Sequence, residues 1–290
     1  MQSLPFGRTG LSVSRLGLGT GRLGELSEPE AHRLLDLAHE LGVRLYDTAP
    51  SYGRAEATLA AWRRARRREG VVVSTKVGYG IPGVPDWSGE AIALGIERAA
   101  ALFGGSVEVV HLHSCPGAVA LRDDVQSALA RARERGQLVV AAYAGENEDL
   151  DAALGGPSIG AVQLSVNLVD QGSRSLRLSY LERAGFGVIA KRASANAPWA
   201  APAEISGPEA EYLARFRRMS LAEPLEGWAS YALRFSAYSP GVHAALVGTR
   251  SATHLESAAQ AIERGPLPTS EVTALESAWR AHGEGLRGVV

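Results

Sequence analysis

Short apolar runs and segments of helical period alternate along this chain eight times over. The runs cover residues 15–20, 43–47, 71–76, 107–113, 138–144, 161–165, 187–191 and 244–247. Most are apolar throughout instead of alternating, as in strands buried on both faces. Helical spacing follows at 29–41, 55–66, 89–103, 123–135, 148–154, 173–184 and 252–262, with two further helices near 208–219 and 225–236 ahead of the last strand. In the first of these, Leu34, Leu35, Leu37, Ala38 and Leu41 share one face, Pro29 stands near the start and Gly42 just past the end. Such alternation calls for parallel strands covered by helices. Eight units is the number that closes a (β/α)8 TIM barrel. A doubly wound open sheet is the competing fold, but no G-x-G-x-x-G follows the first strand, so a Rossmann site has no support. The 290 residues fit one such domain spanning 1–290. The turn-rich stretch Phe6 to Gly10 and the alternating Leu11-Ser12-Val13 predict an N-terminal β-hairpin, placed to plug the bottom of the barrel. Residues 270–282 predict an extra C-terminal helix. The longest irregular piece, 192–207, is either a plain connector or a loop over the barrel mouth.

Composition narrows the function by exclusion. A net charge of -1 gives no reason to expect nucleic-acid or membrane binding. The basic run Arg63-Arg64-Ala65-Arg66-Arg67-Arg68 reads as the solvated C-terminal end of a helix, where cations suit the dipole. The single cysteine, Cys115, excludes an internal disulfide and any multi-cysteine metal site, and it fits a reducing cytosol. No signal peptide and no apolar run long enough to cross a membrane are evident, so a cytoplasmic protein is expected. No oligomeric partner is evident either.

Groups able to do proton chemistry gather at the ends of successive strands. Asp47 ends the run 43–47, Tyr52 follows it, Lys76 ends 71–76 and His113 ends 107–113. A barrel keeps its active site at that face. Tyrosine is a poor acid at neutral pH, and a nearby ammonium favours the phenolate. Asp47 opposite Lys76 would hold that ammonium charged, leaving Tyr52 a usable general acid for a carbonyl oxygen, with His113 donating to the same oxygen. Singly, each residue has a plain reading. A lysine ending a strand is usually a snorkelling surface residue, and a histidine there is usually a satisfied core residue. Their coincidence on three successive strand ends carries the case.

Four stretches add a resemblance to that argument. F-G-R-T-G-L-S-V-S-R-L-G-L-G-T, D-T-A-P-S-Y-G, S-T-K-V-G and V-E-V-V-H-L-H resemble the opening, the Asp-x-x-x-x-Tyr-Gly signature, the lysine strand and the histidine strand of the aldo-keto reductases. The resemblance extends over nearly the full length. It implies a (β/α)8 barrel that reduces a small aldehyde or ketone with a nicotinamide cofactor, usually NADPH, and a tetrad of Asp47, Tyr52, Lys76 and His113. His113 lies nearer the strand end and five residues after Glu108, which stands where the family has Asp; His111 is then a buried, hydrogen-bonded interior residue.

Carried over position by position, the resemblance places Gly19 and Thr20, together with Asp47, beside the nicotinamide. Gln163 matches the carboxamide-binding glutamine. Asn167 completes the Q-x-x-x-N pattern, with loop capping as its other reading. Lys191 and Arg192 stand where many members have an aromatic stacking residue, and either cation could meet phosphate. Gly248, Thr249, Arg250 and His254 match the segment that holds the adenosine 2′-phosphate at a helix start. NADPH is therefore expected over NADH. Departures are Ala144-Gly145 in place of S-N or S-G, Ser257-Ala258 in place of Glu-Asn, and no lysine at Gly248. Trp87, Trp199 and Trp228 are candidate substrate walls or ordinary packing. The rival reading is a cofactor-binding sensor with negligible turnover, and a third is a non-redox lyase or isomerase.

Overall fold

The computed structural model describes residues 1–66, 70–201, 205–283 and 285–290. The chain opens with β1 (Ser3–Pro5) and β2 (Ser12–Ser14), an antiparallel pair with Ser3 opposite Ser14. Eight parallel strands then form a closed barrel. They are β3 (Leu16–Gly19), β4 (Leu45–Asp47), β5 (Val72–Val77), β6 (Val107–His113), β7 (Leu138–Ala144), β8 (Ile159–Ser165), β9 (Gly187–Lys191) and β10 (Ala244–Gly248). β10 closes the ring on β3. Around the barrel run α1 (Glu28–Glu40), α2 (Ala55–Arg66), α3 (Gly89–Leu102), α4 (Gly117–Ala120), α5 (Asp123–Glu134), α6 (Asn147–Ala153), α7 (Gly172–Leu176) and α8 (Leu178–Ala184). α9 (Gly207–Met219), α10 (Trp228–Ala237), α11 (Ala252–Glu263) and α12 (Thr269–His282) complete the set.

Local chemistry explains the boundaries. At α1, Ser27 and Glu30 form a reciprocal capping box with Pro29 in the first turn. Ser88 caps α3 by accepting from the Ala91 N–H at 3.1 Å. Every residue of β4 and β5 is buried, as strands covered on both faces must be. One expected helix is divided and one unexpected helix is present. The helix expected at 173–184 divides at Arg177, whose φ of -120° is not helical, into α7 and α8. α4, four residues long, is too short to leave a periodic signal.

The hairpin does plug the barrel's lower end. Phe6 is fully buried among Leu45, Val72, Val109, Val140 and Ile189, side chains that fill the barrel interior. Its ring lies so close to Gly187 that a Cβ there would stand 2.6 Å from it. Burial of a phenylalanine stabilises by about 1.5–3 kcal/mol.

The basic run is not simply a solvated helix end. Arg63 is half-buried, and its two terminal nitrogens donate to Glu108 at 2.9 and 2.6 Å. Glu108 also accepts from the Val73 N–H at 2.9 Å. This fork ties α2 to β5 and β6, so the carboxylate is a structural latch. Arg67 and Arg68 lie outside the described residues. No helix among the described residues is long and apolar enough to cross a membrane.

Candidate active site

The C-terminal ends of the barrel strands surround a cleft of about 450 Å3. Its lining includes Gly19, Asp47, Tyr52, Lys76, His113, Ala144, Gln163, Lys191, Arg192 and Gly248. Asp47, Lys76 and His113 arrive on neighbouring strands β4, β5 and β6, and Tyr52 on the loop just after β4. The parallel barrel therefore brings together groups separated by as much as 66 positions in the chain.

At the floor lies a buried ion pair. Lys76 Nζ donates to Asp47 Oδ2 at 2.7 Å and to the Thr48 carbonyl at 2.8 Å. The other carboxylate oxygen of Asp47 accepts from Ser74 Oγ at 2.8 Å and from Gln163 Nε2 at 2.9 Å. Burial opposes the charge on both partners. Their mutual attraction and these bonds outweigh it, holding the Asp47 carboxyl below and the Lys76 ammonium above their ordinary values. Lys76 Nζ also stands 5.0 Å from the centre of the Tyr52 ring. The expected lowering of the Tyr52 pKa does not result. Burial pushes the phenol upward and Asp47 adds to that, so the pull of Lys76 is outweighed and the net direction is up from 10.0. Tyr52 rests as a protonated phenol.

The two histidines of β6 divide as their positions suggest. His111 is fully buried, with Nε2 2.9 Å from Ser74 Oγ, and burial holds its pKa down to about 3. His113 lines the cleft, and burial followed by the Lys76 charge takes it down to about 4. Both imidazoles are neutral at physiological pH. His113 therefore enters any reaction as a hydrogen-bond donor or acceptor and not as a cation.

The remaining expected residues separate into those at the cleft and those bound elsewhere. Thr20 does not line it: its hydroxyl and its N–H both donate to the Asp47 carbonyl, at 3.0 and 2.8 Å, stitching β3 to β4. Asn167 caps a loop, donating to the Arg192 carbonyl at 3.1 Å and accepting from the Val169 N–H at 3.0 Å. Lys191 reaches the cleft but pairs at 3.2 Å with Glu146. Burial lowers its pKa against that pull. Arg192 donates to the Val289 carbonyl of the C-terminal tail. Arg250 is exposed and pairs with Glu25 at 3.1 Å. Thr249 accepts from the Ser251 N–H at 3.0 Å, and exposed His254 opens α11, its N–H bonded to Ser251 Oγ at 3.3 Å. Of the tryptophans, Trp199 and Trp228 stack on each other, 6.2 Å apart, in a satellite core with Phe216 and Tyr231, and neither lines the cleft.

The segment after β9 does reach the barrel mouth. Ala193, Ser194 and Asn196 line the cleft, and Arg192, Ala195, Asn196 and Ala197 all take left-handed backbone with φ between 48° and 56°. Residues 202–204 of the expected irregular piece lie outside the described residues.

Sequence reasoning missed Ser74, Glu146 and Tyr79. Ser74 was within reach of it: two residues before Lys76 on a strand, it shares the lysine's face. Glu146 also follows a strand end, but its partner Lys191 is 45 positions away, and no local spacing signals such a pair.

A nicotinamide dinucleotide fits this lining on two grounds. Glycines keep part of the cleft clear: a Cβ at Gly248 would meet only the Gly19 carbonyl oxygen, at 3.9 Å. Cationic side chains of Arg22, Lys191 and Arg192 also border it, as an anionic pyrophosphate requires.

Comparison with known proteins agrees with this geometry. The sequence model of the Aldo/keto reductase family matches residues 15–280. Over 79 residues the chain is 46% identical to a pyridoxal 4-dehydrogenase of Microbacterium luteolum, covering 25% of this chain and 23% of that protein. Over 75 residues it is 41% identical to a D-threo-aldose 1-dehydrogenase of a Pseudomonas species, covering 24% of this chain and 23% of that protein. These matches thus span about a quarter of each relative's length. Among solved structures, a putative aldo-keto reductase from Pseudomonas aeruginosa superposes with a TM-score of 0.70 at 28% identity, covering 90% of this chain and 95% of that one. An aldo-keto reductase from Bacillus halodurans gives a TM-score of 0.82 over 96% of both chains at 20% identity, a likeness of fold alone. With a family match over nearly the whole barrel and its strand-end residues gathered in one cleft, the chain belongs to the Aldo/keto reductase family, a family of NAD(P)H-dependent oxidoreductases.

Proposed function

We propose that this protein, acting as one barrel domain over residues 1–290, reduces an aldehyde or ketone to an alcohol with NADPH. The observation that carries the reading is the buried Lys76–Asp47 pair set beneath a protonated Tyr52 at the floor of an open cleft. A bound nicotinamide dinucleotide supplies the hydride. Tyr52 gives its proton to the carbonyl oxygen as the carbon gains that hydride, so the C=O bond becomes H–C–O–H. The phenolate left behind is stabilised by the Lys76 ammonium. Asp47 keeps Lys76 charged and fixed, itself held by Ser74 and Gln163. His113 donates a hydrogen bond to the same carbonyl oxygen and orients it.

Gly19, Gly248 and Gln163, which line the cleft, would hold the dinucleotide, and the Lys191 and Arg192 side chains there would supply cations for its phosphates. Preference for NADPH rests on Arg250 and His254 at the start of α11, where a helix N-terminus suits an anion. Glu25 competes for Arg250, so the preference depends on the 2′-phosphate displacing that carboxylate.

Fluorescence titration with NADPH and NADH, then absorbance at the nicotinamide band with a panel of carbonyls, tests the proposal. One similar protein is named for pyridoxal and another for a D-threo-aldose, so the panel includes pyridoxal and aldoses beside simple aldehydes. Tighter NADPH binding with carbonyl-dependent oxidation is expected. Binding with no oxidation by any carbonyl would favour the sensor reading.

A further inference from the structure

The loop after β5 brings a group to the cleft's edge that the chemistry above does not use. Tyr79 lies three residues past Lys76, and its hydroxyl oxygen is 2.6 Å from Nδ1 of His113. The two rings also stack, with centres 5.4 Å apart and planes 29° apart. Behind Tyr79 stands Trp87, edge-on at 5.5 Å. The backbone holds Trp87 in turn: its N–H donates to the Gly78 carbonyl at 2.6 Å. Gly78 has a φ of +137°, and a Cβ there would come within 1.9 Å of the indole, so only glycine lets the indole seat at that point. Asp86 accepts from the Gly80 N–H at 3.0 Å and draws the loop closed. The loop returns on itself and presents one side chain, Tyr79, to the histidine.

A neutral imidazole carries one N–H, and the bond made by one ring nitrogen decides whether the proton sits on the other. A hydroxyl has one proton to donate. The other polar neighbour of the Tyr79 hydroxyl, Ser51 Oγ, is farther away at 3.4 Å. A phenolic proton given to the shorter contact with Nδ1 would leave the imidazole proton on Nε2. In the opposite tautomer Nε2 would be a bare acceptor, unable to hold a carbonyl oxygen.

We propose that Tyr79 is a positioning residue: by donating to Nδ1 and stacking on the ring, it fixes His113 in the Nε2–H tautomer that donates to the substrate oxygen. This rests on the carbonyl-orienting role given to His113 above.

Tyr79→Phe keeps the ring, its stack on His113 and its contact with Trp87, and removes only the hydroxyl. Imidazole 15N NMR of the full chain, labelled at its seven histidines and assigned with His113→Asn, reads the tautomer without substrate. The wild type should show His113 protonated at Nε2, and Tyr79→Phe a mixture of both tautomers. Losing one hydrogen bond that orders the donor should lower kcat about tenfold, with the dissociation constant for NADPH unchanged. A wild-type His113 protonated at Nδ1 would overturn the proposal. So would a Tyr79→Phe protein with the wild-type tautomer, or one with a changed tautomer and unchanged kcat. Absence of any carbonyl-dependent oxidation by the wild type is a separate result. It would remove the reductase reading, and this role of Tyr79 with it, while the NMR spectra would still report the Tyr79–His113 contact.

Discussion

Burial is the largest single influence on each ionisable group of the tetrad, and what differs is which of them have a partner strong enough to oppose it. Asp47 and Lys76 have each other and stay charged. Tyr52 and His113 have no such partner and stay neutral, one above 10.0 and the other near 4. The pH dependence of reduction follows. A proton donor whose pKa is raised keeps its proton as pH climbs, and an imidazole whose pKa is lowered stays neutral as pH falls. Thus kcat/KM for reduction should be flat between its acid limb near pH 4 and an alkaline limb above pH 10, read from initial rates across a buffer series. A limb near pH 7 would mean that one of these groups is misassigned. The ion pair also has a stability consequence. Lys76→Met strands the Asp47 charge in the barrel and should cost about 3–5 kcal/mol in urea unfolding. Adding Asp47→Asn should recover much of that loss, and a lone Lys76→Met costing under about 1 kcal/mol would contradict the account. At this scale the sequence was legible where a residue's position on a strand determines where it points. Asp47 and His113 end their strands, Lys76 is the last residue but one of β5, and all three reach the cleft. Thr20 and Asn167 lay in the same motifs, yet their side chains bond to backbone instead. A loop cap and a ligand contact use the same polar residue types, so spacing alone does not separate them.

Elements were legible in kind and approximate at their ends. Strand 107–113 holds as expected, and the helix expected at 55–66 is found up to Arg66, where the described residues break off. The division at Arg177 and the one-turn α4 escaped because neither spans enough residues to show a period. The hairpin's place below the barrel was readable from its turn residues, but the depth of Phe6 was not, since nothing local shows that a ring meets bare backbone at Gly187. Phe6→Ala should therefore cost about 3–5 kcal/mol, the range for an emptied aromatic site. A thermal midpoint within a degree of the wild type would show that the hairpin is not the plug it is described as. The C-terminal tail is a second element that no periodicity announces. Val289 accepts from Arg192 and donates to Asp170 at 3.1 Å, and Gly288 bonds both ends of the Asn147 amide, at 2.8 and 3.0 Å. It ties α6 to the segment after β9 that borders the cleft.

For the whole molecule, the barrel's closure turns three short strand ends, far apart in sequence, into one site. The fold was legible because eight strand–helix units leave few alternatives. The chemistry was legible because polar groups at strand ends are costly unless paired or used. The contacts that shape the cleft, Lys191 with Glu146 and Arg192 with the tail, are long-range and were not. The central claim is that Tyr52 is the proton donor in a carbonyl reduction. Its most direct test is Tyr52→Phe, with NADPH oxidation by an aldehyde and NADPH binding measured on the same preparation. The account predicts a loss of about 10²- to 10⁴-fold in kcat, with the dissociation constant for NADPH within a factor of about two of the wild type, under 0.5 kcal/mol. Turnover at the wild-type rate in Tyr52→Phe would contradict it.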